Sequence, residues 1–330
     1  MKSLSVAIVS PASMPWVGLF LAMTGVAVGA GPTGSSARKI AITFDDLPAV
    51  SVPAGQTCDL ESLKNNTAKL LATLTLRAVP VVGFVNEGRI CKSLGSGALP
   101  ALLSMWLDAG EELGNHTFSH VDLDVATVDA YEADVVRGEA VTKKLLSYRG
   151  RTLRYFRYPF LNTGRNQDIK TAIDSFLEKR GYTEAPVTIG SNEWMFAAIY
   201  ADAKERGDLA TMKLVTDAYV PYMQKVVSYF ERASFRMFGR EINQVLLVHA
   251  SALNADCLDQ LIAMLESRGY QFVTLGEALD DPAFSIPDRY LGSDGFSCLL
   301  RWAQTENMLM KPRPPEPAVI RRLYSQIPVK

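Results

Sequence analysis

Two of the chain's three histidines lie four positions apart in the segment "NHTFSH", residues 115–120. His116 and His120 could each give an imidazole nitrogen to one divalent metal, provided that the segment makes a helical turn and directs both side chains the same way. A catalytic metal site needs about three protein ligands and one open position. The pair alone is also compatible with two histidines that merely lie near one another on a turn. A nearby carboxylate would distinguish a metal site from that arrangement.

The segment "TFDD", residues 43–46, offers two carboxylates at the end of a predicted strand. Burying both charges would be costly without a cation nearby. Neighbouring strand residues point to opposite faces, so one aspartate could bind a metal while the other has a second role. The alternative is a capping or turn role for Asp45 and Asp46.

The third histidine, His249, ends the apolar stretch "LLVH", residues 246–249. A lone histidine in this setting is commonly a core residue. Opposite a metal site, His249 becomes a candidate general acid.

The segments that must position these residues alternate between short β-type runs and longer helical patterns. Strands are predicted at residues 39–44, 79–85, 112–116, 153–158, 185–190, 245–250 and 270–275. Helices are predicted at 60–76, 97–110, 128–147, 166–180 and 255–268, with a long helical stretch, of two helices, at 196–236. Seven strands alternating with helices predict an α/β fold of parallel units, which closes into a barrel or forms an open doubly wound sheet.

The polar candidates all follow predicted strands. In β/α folds the active site gathers at the carboxyl ends of the strands, so one rim of the sheet should carry the chemistry. The side chains concerned are Asp45, Asp46, His116, His120, Arg157, Glu193, Trp194 and His249.

Five segments, in this order along the chain, resemble the motifs of the polysaccharide deacetylases, the chitooligosaccharide-deacetylase homology domain of carbohydrate esterase family four. They are "TFDD" (43–46), "HTFSH" (116–120), "FRYPF" (156–160), "NEW" (192–194) and "LLVH" (246–249). The resemblance covers residues 38–280. It implies a distorted (β/α) barrel with about seven parallel strands and a substrate that is an acetylated glycan.

The resemblance also implies a metal site. Asp46, His116 and His120 would bind a divalent metal, and Zn²⁺ is the metal that we expect. Asp45 would be the general base for the attacking water, and Arg157 would keep Asp45 ionised and oriented. The alternative for Arg157 is a surface ion pair.

Further roles follow from the same resemblance. His249 would protonate the departing amine, and the backbone N–H of Phe160 would stabilise the oxyanion. Trp194 and Leu247 would form the wall of the pocket for the acetyl methyl group; plain core packing is the alternative for both.

The sequence departs from the family pattern at several places. Leu47 and Pro48 follow "TFDD" where a glycine is common, and Phe160 replaces a tyrosine. Gly190 and Glu193 stand where the fourth motif usually has aspartates. Either Glu193, which we place among the substrate-binding residues, replaces the acidic partner of the acid histidine, or the site is less active. The long helical stretch at 196–236 is not a core feature of the family and would restrict substrate length.

The N-terminal region has the layout of a secretory signal peptide. No charged residue lies between Lys2 and Arg38, and an apolar run at 14–30 ends in Val28 and Ala30, the positions expected before a cleavage site. We therefore expect a signal peptide at 1–30 and an exported, periplasmic or secreted protein with no stable membrane insertion after cleavage. An uncleaved membrane anchor is the alternative.

Four cysteines lack the spacing of a zinc ribbon or a C-x-x-C pair. Cys58 and Cys91 both follow predicted strands, so they should lie at the same end of the fold and form a disulfide; buried thiols are the alternative.

Residues 281–330 are proline-rich and basic near their end, which indicates a surface-packed C-terminal extension. The net charge of −1 gives no electrostatic reason for nucleic acid as a partner.

Together these features predict an exported metal-dependent hydrolase that removes acetyl groups from N-acetylated sugars. Two alternatives stay open: a hydrolase of small amides or imides on the same scaffold, and a non-catalytic glycan-binding homologue.

Overall fold

The computed structural model describes residues 38–48, 58–292 and 297–327. The predicted signal peptide at 1–30 lies outside the described residues. Among the helices of the described residues, none is long and apolar enough to cross a membrane.

Seven parallel strands form one sheet in the described part of the chain. Their spatial order is β5-β4-β3-β2-β1-β6, and β7 pairs with the start of β1. The strands are β1 (Arg38–Leu47), β2 (Val81–Val85), β3 (Glu112–Asn115), β4 (Tyr155–Phe156), β5 (Thr183–Glu184), β6 (Gln244–His249) and β7 (Tyr270–Phe272). This curled parallel sheet confirms the predicted distorted (β/α) barrel.

Helices surround the sheet. They are α1 (Leu60–Arg77), α2 (Ala98–Asp108), α3 (Val128–Arg137), α4 (Ala140–Ser147), α5 (Gln167–Lys179), α6 (Glu193–Glu205), α7 (Leu209–Phe238), α8 (Ala252–Ser267), α9 (Leu275–Leu279), α10 (Cys298–Thr305) and α11 (Ala318–Tyr324). The stretch expected to hold two helices at 196–236 is α6 and α7.

The central strand β1 divides the core into two faces. Ile40, Ile42 and Phe44 belong to the larger buried cluster, in which Phe44 contacts the ring of Trp106 at 5.6 Å between centroids. Ala41 belongs to a smaller cluster on the other face. The alternation of β1 side chains therefore places Thr43 and Asp45 on the same face as Ala41.

Two predicted elements differ from the structure. The strand expected at 185–190 does not form: β5 comprises Thr183–Glu184, just before that range, and within the range only Ile189 makes a single bridge, to Leu246. Pro186 interrupts this segment because it has no N–H to donate to a neighbouring strand. The helix expected at 128–147 is split between α3 and α4 at Gly138, where a Cβ atom would lie only 2.6 Å from the backbone of Phe118. The split makes room for the histidine segment.

The C-terminal segment is integrated more deeply than a surface-packed extension. Cys298, Leu299 and Trp302 of α10 are buried in the main core, and so is Ile320 of α11. Cys58 and Cys91 form the predicted disulfide, with 5.5 Å between their Cα atoms.

Candidate active site

Asp45 and Asp46 both line one cavity at the carboxyl end of β1, where side chains of a regular strand would diverge. The strand loses its regular register after Phe44, and Asp46 has a φ of 65°. This left-handed conformation, which is costly for a residue with a Cβ, turns the second carboxylate towards the first. The expectation that the two aspartates occupy opposite faces is therefore wrong.

The segment from His116 to His120 is an irregular loop after β3. The helical turn that would direct both imidazoles the same way does not form, yet both imidazoles face Asp46. Thr117 and His120 have φ values of 62° and 59°. The buried side chain of Asn86 donates to the carbonyl groups of His116 and Thr117. Asp134 of α3 accepts the backbone N–H of Ser119 at 2.8 Å. These side-chain contacts stabilise left-handed backbone conformations that do not occur in a regular α-helix.

The loop brings three potential metal ligands together. Asp46 Oδ1 lies 3.4 Å from His120 Nε2 and 3.8 Å from His116 Nε2. The three donor atoms all lie within 4.8 Å of one another. Asp46 Oδ1 is buried and has no hydrogen-bond partner, which is costly for a carboxylate oxygen unless a cation satisfies it. One carboxylate and two imidazoles fit a small divalent cation.

The tautomer of His116 suits this role. Its Nδ1 lies 2.8 Å from the carbonyl oxygen of Arg157, which can only accept, so Nδ1 carries the hydrogen and Nε2 presents its lone pair. Burial lowers the pKa of His116 to about 4 and that of His120 to about 3. Both imidazoles are thus neutral at pH 7, the form that binds a metal.

Asp45 is paired with a fully buried guanidinium. Arg157 Nη1 lies 3.0 Å from Asp45 Oδ1, its Nη2 donates to Thr43 Oγ1 at 3.1 Å, and its Nε donates to the Ala185 carbonyl. The guanidinium also lies 4.4 Å over the Phe84 ring. Burial raises the pKa of Asp45, and Arg157 opposes that rise. The result is an oriented carboxylate with increased affinity for a proton.

His249 follows Val248 at the end of β6, directly opposite Asp45 in the strand pairing. Its Nδ1 lies 2.9 Å from Oε1 of Glu193, which is fully buried and also accepts the His249 backbone N–H. Burial works to lower the pKa of His249, but Glu193 raises it to about 9. Glu193 therefore contacts the histidine and does not line the cavity as a substrate-binding residue would.

The cavity has a volume of about 460 Å³. Leu247 and Trp194 line it, Trp194 with 37% of its surface exposed. Phe160 also lines it and places its ring against His120, with 4.4 Å between centroids. Phe160 and Leu161 both have positive φ values, 57° and 59°, so a strained turn borders the site.

Several residues of the site had no motif to mark them. Arg89 follows β2, lines the cavity and lies 3.6 Å from Asp46 Oδ2 through its Nη1. Arg313 and Tyr324 of the C-terminal segment also line the cavity. Arg301 of α10 donates to the carbonyl of Leu161 at 2.9 Å. The strand-exit argument, applied to β2, would have found Asn86 and Arg89; the C-terminal residues gave no local signal.

Comparison with known proteins confirms the family resemblance. Residues 33–180 match the family model described as polysaccharide deacetylase, a range that includes Asp45, Asp46, His116, His120 and Arg157. No curated protein matches the chain.

Solved structures of this family are similar in part. The peptidoglycan deacetylase PdaC from Bacillus subtilis is 21% identical, with 74% of this chain and 90% of that chain covered and a TM-score of 0.44. The chitin deacetylase from the fungal pathogen Colletotrichum lindemuthianum is 20% identical, with 77% and 91% covered and a TM-score of 0.48. A CE4 family pseudoenzyme from Bacillus anthracis is 16% identical, with 74% and 66% covered and a TM-score of 0.46.

Proposed function

We propose that this protein is a metal-dependent deacetylase that removes acetyl groups from N-acetylated sugars of peptidoglycan- or chitin-type glycans. The observation that carries the proposal is the grouping of three charged or ligating units around one cavity. These are the donor set Asp46–His116–His120, the pair Asp45–Arg157 and the pair His249–Glu193.

The donor set would hold the metal, with Zn²⁺ the first choice for one carboxylate and two imidazoles. A bound divalent cation supplies polarisation of the acyl oxygen and lowers the pKa of a water molecule. The buried, unsatisfied Asp46 Oδ1 supports this assignment from the protein side.

Asp45 would accept the proton of the attacking water. Its raised pKa increases its affinity for that proton, and Arg157 fixes the carboxylate towards the cavity. The backbone N–H of Phe160, in the strained turn beside His120, would bind the developing oxyanion.

His249 would donate a proton to the departing amine. The raised pKa keeps the imidazole protonated at neutral pH, as a general acid requires. Trp194 and Leu247 line the cavity where the acetyl methyl group would lie.

Export to the periplasm or the medium belongs to the same proposal. The disulfide between Cys58 and Cys91 supports it, because such bonds persist in oxidising compartments.

The test is acetate release by purified protein from chitooligosaccharides and peptidoglycan fragments, together with measurement of bound metal. Asp45→Asn should retain the metal and lose turnover, whereas Asp129→Asn, an exposed acid on α3, should behave as wild type. Metal bound without acetate release from any glycan would contradict the proposal and favour a binding protein.

A second candidate is a hydrolase of small amides or imides. It is favoured by the size of the cavity, about 460 Å³, which is in the range of small-ligand sites. Release of ammonia or acid from small amides, without acetate from glycans, would favour this candidate.

A further inference from the structure

Both polar groups of the His249 backbone are held by side chains. The N–H donates to Glu193 Oε1 at 2.6 Å, and the carbonyl accepts from Asn254 Nδ2 at 2.8 Å. Asn254 Nδ2 also lies 3.4 Å from the same Glu193 oxygen. Glu193 is at the start of α6 and Asn254 is near the start of α8, so two helices fix the last residue of β6.

The amide of Asn254 can face these groups in one direction only. The His249 carbonyl and the Glu193 carboxylate both accept hydrogen bonds, so the amide nitrogen must point to them and the amide oxygen must point away. On the far side the Tyr219 hydroxyl donates to Asn254 Oδ1 at 2.7 Å. Tyr219 therefore stabilises the amide orientation that serves His249.

Water does not compete for these contacts. Tyr219, Asn254 and Glu193 are all 0% exposed. Hydrogen bonds in such surroundings orient their groups strongly, because a buried polar group without a partner is costly. Burial also raises the pKa of Tyr219 well above its usual range, so the hydroxyl keeps the hydrogen that it donates.

Tyr219 lies on α7, the second helix of the long stretch that is not a core feature of the family. The range that matches the family model, 33–180, ends before this helix. The Tyr219 ring packs against Phe196 of α6, with 5.9 Å between centroids. Neither Tyr219 nor Asn254 lines the cavity, so any effect they have on its chemistry passes through another side chain.

We propose that Asn254 and Tyr219 are positioning residues for His249. Asn254 holds the backbone of the histidine together with its carboxylate partner, and Tyr219 holds Asn254. Both direct the imidazole at the cavity without touching the substrate. The inference rests on the proposed function, in which His249 donates a proton to the departing amine.

The experiment compares Asn254→Ala and Tyr219→Phe with the wild type and with Tyr200→Phe. Tyr200 is the matched control, because its hydroxyl also donates to a side chain of α8, Asp256, at 2.7 Å. All three changes leave in place the charged groups that face the imidazole of His249, which are Glu193 of α6 and Asp45 and Asp46 of β1.

The first measurement does not depend on activity. NMR of protein with isotope-labelled histidine, with a chelator present, follows exchange of the His249 Nδ1–H with water. The chain has three histidines, so comparison with His249→Gln assigns the signal. In the wild type and Tyr200→Phe this exchange should be slow, because Glu193 Oε1 lies 2.9 Å from Nδ1. It should be about tenfold faster in Asn254→Ala and about threefold faster in Tyr219→Phe, in keeping with the net contribution of a buried hydrogen bond.

The second measurement is acetate release from a chitooligosaccharide by metal-loaded protein. The value of kcat should fall about tenfold in Asn254→Ala and about threefold in Tyr219→Phe, with KM within about twofold of the wild type, because the proton is donated after the substrate has bound. Tyr200→Phe should match the wild type in both parameters. Tyr219→Phe removes one oxygen atom and keeps the ring, so it provides a folded variant even if Asn254→Ala is unstable.

Unchanged exchange of the His249 Nδ1–H in folded Tyr219→Phe would overturn the proposal, as would the same acceleration in Tyr200→Phe. A raised KM with unchanged kcat would also overturn it. The two proposals fail separately. Faster exchange in the two variants, with no acetate release even by the wild type, would contradict the deacetylase and support the positioning role. Equal acetate release by all four proteins would contradict only the positioning role.

Discussion

His249 Nδ1 lies 2.9 Å from Oε1 of Glu193, and the same oxygen accepts the His249 backbone N–H. The carboxylate is fully buried at the start of α6, so water does not screen this contact. Asn254 Nδ2 donates to the His249 carbonyl at 2.8 Å and fixes the backbone from the other side. The imidazole is therefore held in one orientation and kept in its protonated form.

Glu193→Gln is expected to move the alkaline limit of activity to lower pH. The pKa of His249 is raised from 6.5 to about 9, and Glu193 is the main cause of the rise. Loss of the negative charge should lower this pKa by at least about one unit, and kcat/KM above neutral pH should fall accordingly. A pH profile of kcat/KM and an NMR titration of His249 measure the shift.

The same pair has a signature in stability. Because the folded-state pKa of His249 exceeds its unfolded value of 6.5, its contribution is complete below about pH 6.5 and is lost as pH rises through about 9. Glu205→Gln, an exposed change on the same helix, is the control. An alkaline limb that stays in place in Glu193→Gln would refute the assignment of His249 as the acid.

Asp46→Asn is expected to weaken metal binding on the order of 100-fold or more, because the change removes the anionic ligand of the donor set. Competition with a metal-binding dye measures the affinity directly, independently of activity. Asp129→Asn serves as the matched control, since Asp129 is an exposed acid on α3. Unchanged metal affinity in Asp46→Asn would rule out the proposed ligand set.

The sequence predicted the fold well because the apolar β-type runs and helical patterns are local signals. Val81–Val85 and Gln244–His249 are short apolar strands, and their carboxyl ends meet at one edge of the parallel sheet. The positions of Asp45 and His249, which pair across two neighbouring strands, follow from that rule alone.

Local sequence signals and the strand-end rule do not predict the irregular backbone at the site. The left-handed residues Asp46, Thr117 and His120 contradict local preference, and contacts distant in sequence hold the segments that contain them. Asn86, for example, supports the histidine loop from 30 residues away. Arg301 and Arg313 reach the site only through the packing of the C-terminal segment, for which no periodic pattern gives a signal.

Arg301→Gln is expected to lower kcat more than it raises KM. Arg301 is 3% exposed and donates to the carbonyl of Leu161, next to the Phe160 N–H that we assign to the oxyanion. The loss should leave the strained turn less well positioned, an effect felt mainly in the transition state. Steady-state kinetics separate the two parameters.

Arg301→Gln should also destabilise the fold by about 1–2 kcal/mol, because the Leu161 carbonyl loses a buried donor, whereas Asp288, 3.1 Å from Arg301 Nε, keeps Lys170 Nζ at 3.6 Å. Kinetics are therefore measured well below the melting temperature of the variant. Arg236→Gln, an exposed change on α7, controls for loss of charge. A variant with normal kcat and a raised KM would show that Arg301 affects binding and not the oxyanion turn.

Reduction of the disulfide between Cys58 and Cys91 is expected to lower the stability of the protein substantially. The bond closes a loop with a sequence separation of 33, and chain entropy alone predicts a stabilisation of roughly 3–4 kcal/mol for a loop of that size. Cys91 also closely follows Arg89, which lies beside Asp46, so the bond restrains a segment of the cavity wall.

Chemical denaturation of the wild type, with and without reductant, measures the difference in stability between the oxidised and reduced protein. The double variant Cys58→Ser/Cys91→Ser should resemble the reduced wild type and be insensitive to reductant, because Cys257 and Cys298 are buried free thiols. Equal denaturation midpoints for oxidised and reduced wild type would contradict a structural role for the bond, and with it the support that the bond lends to export.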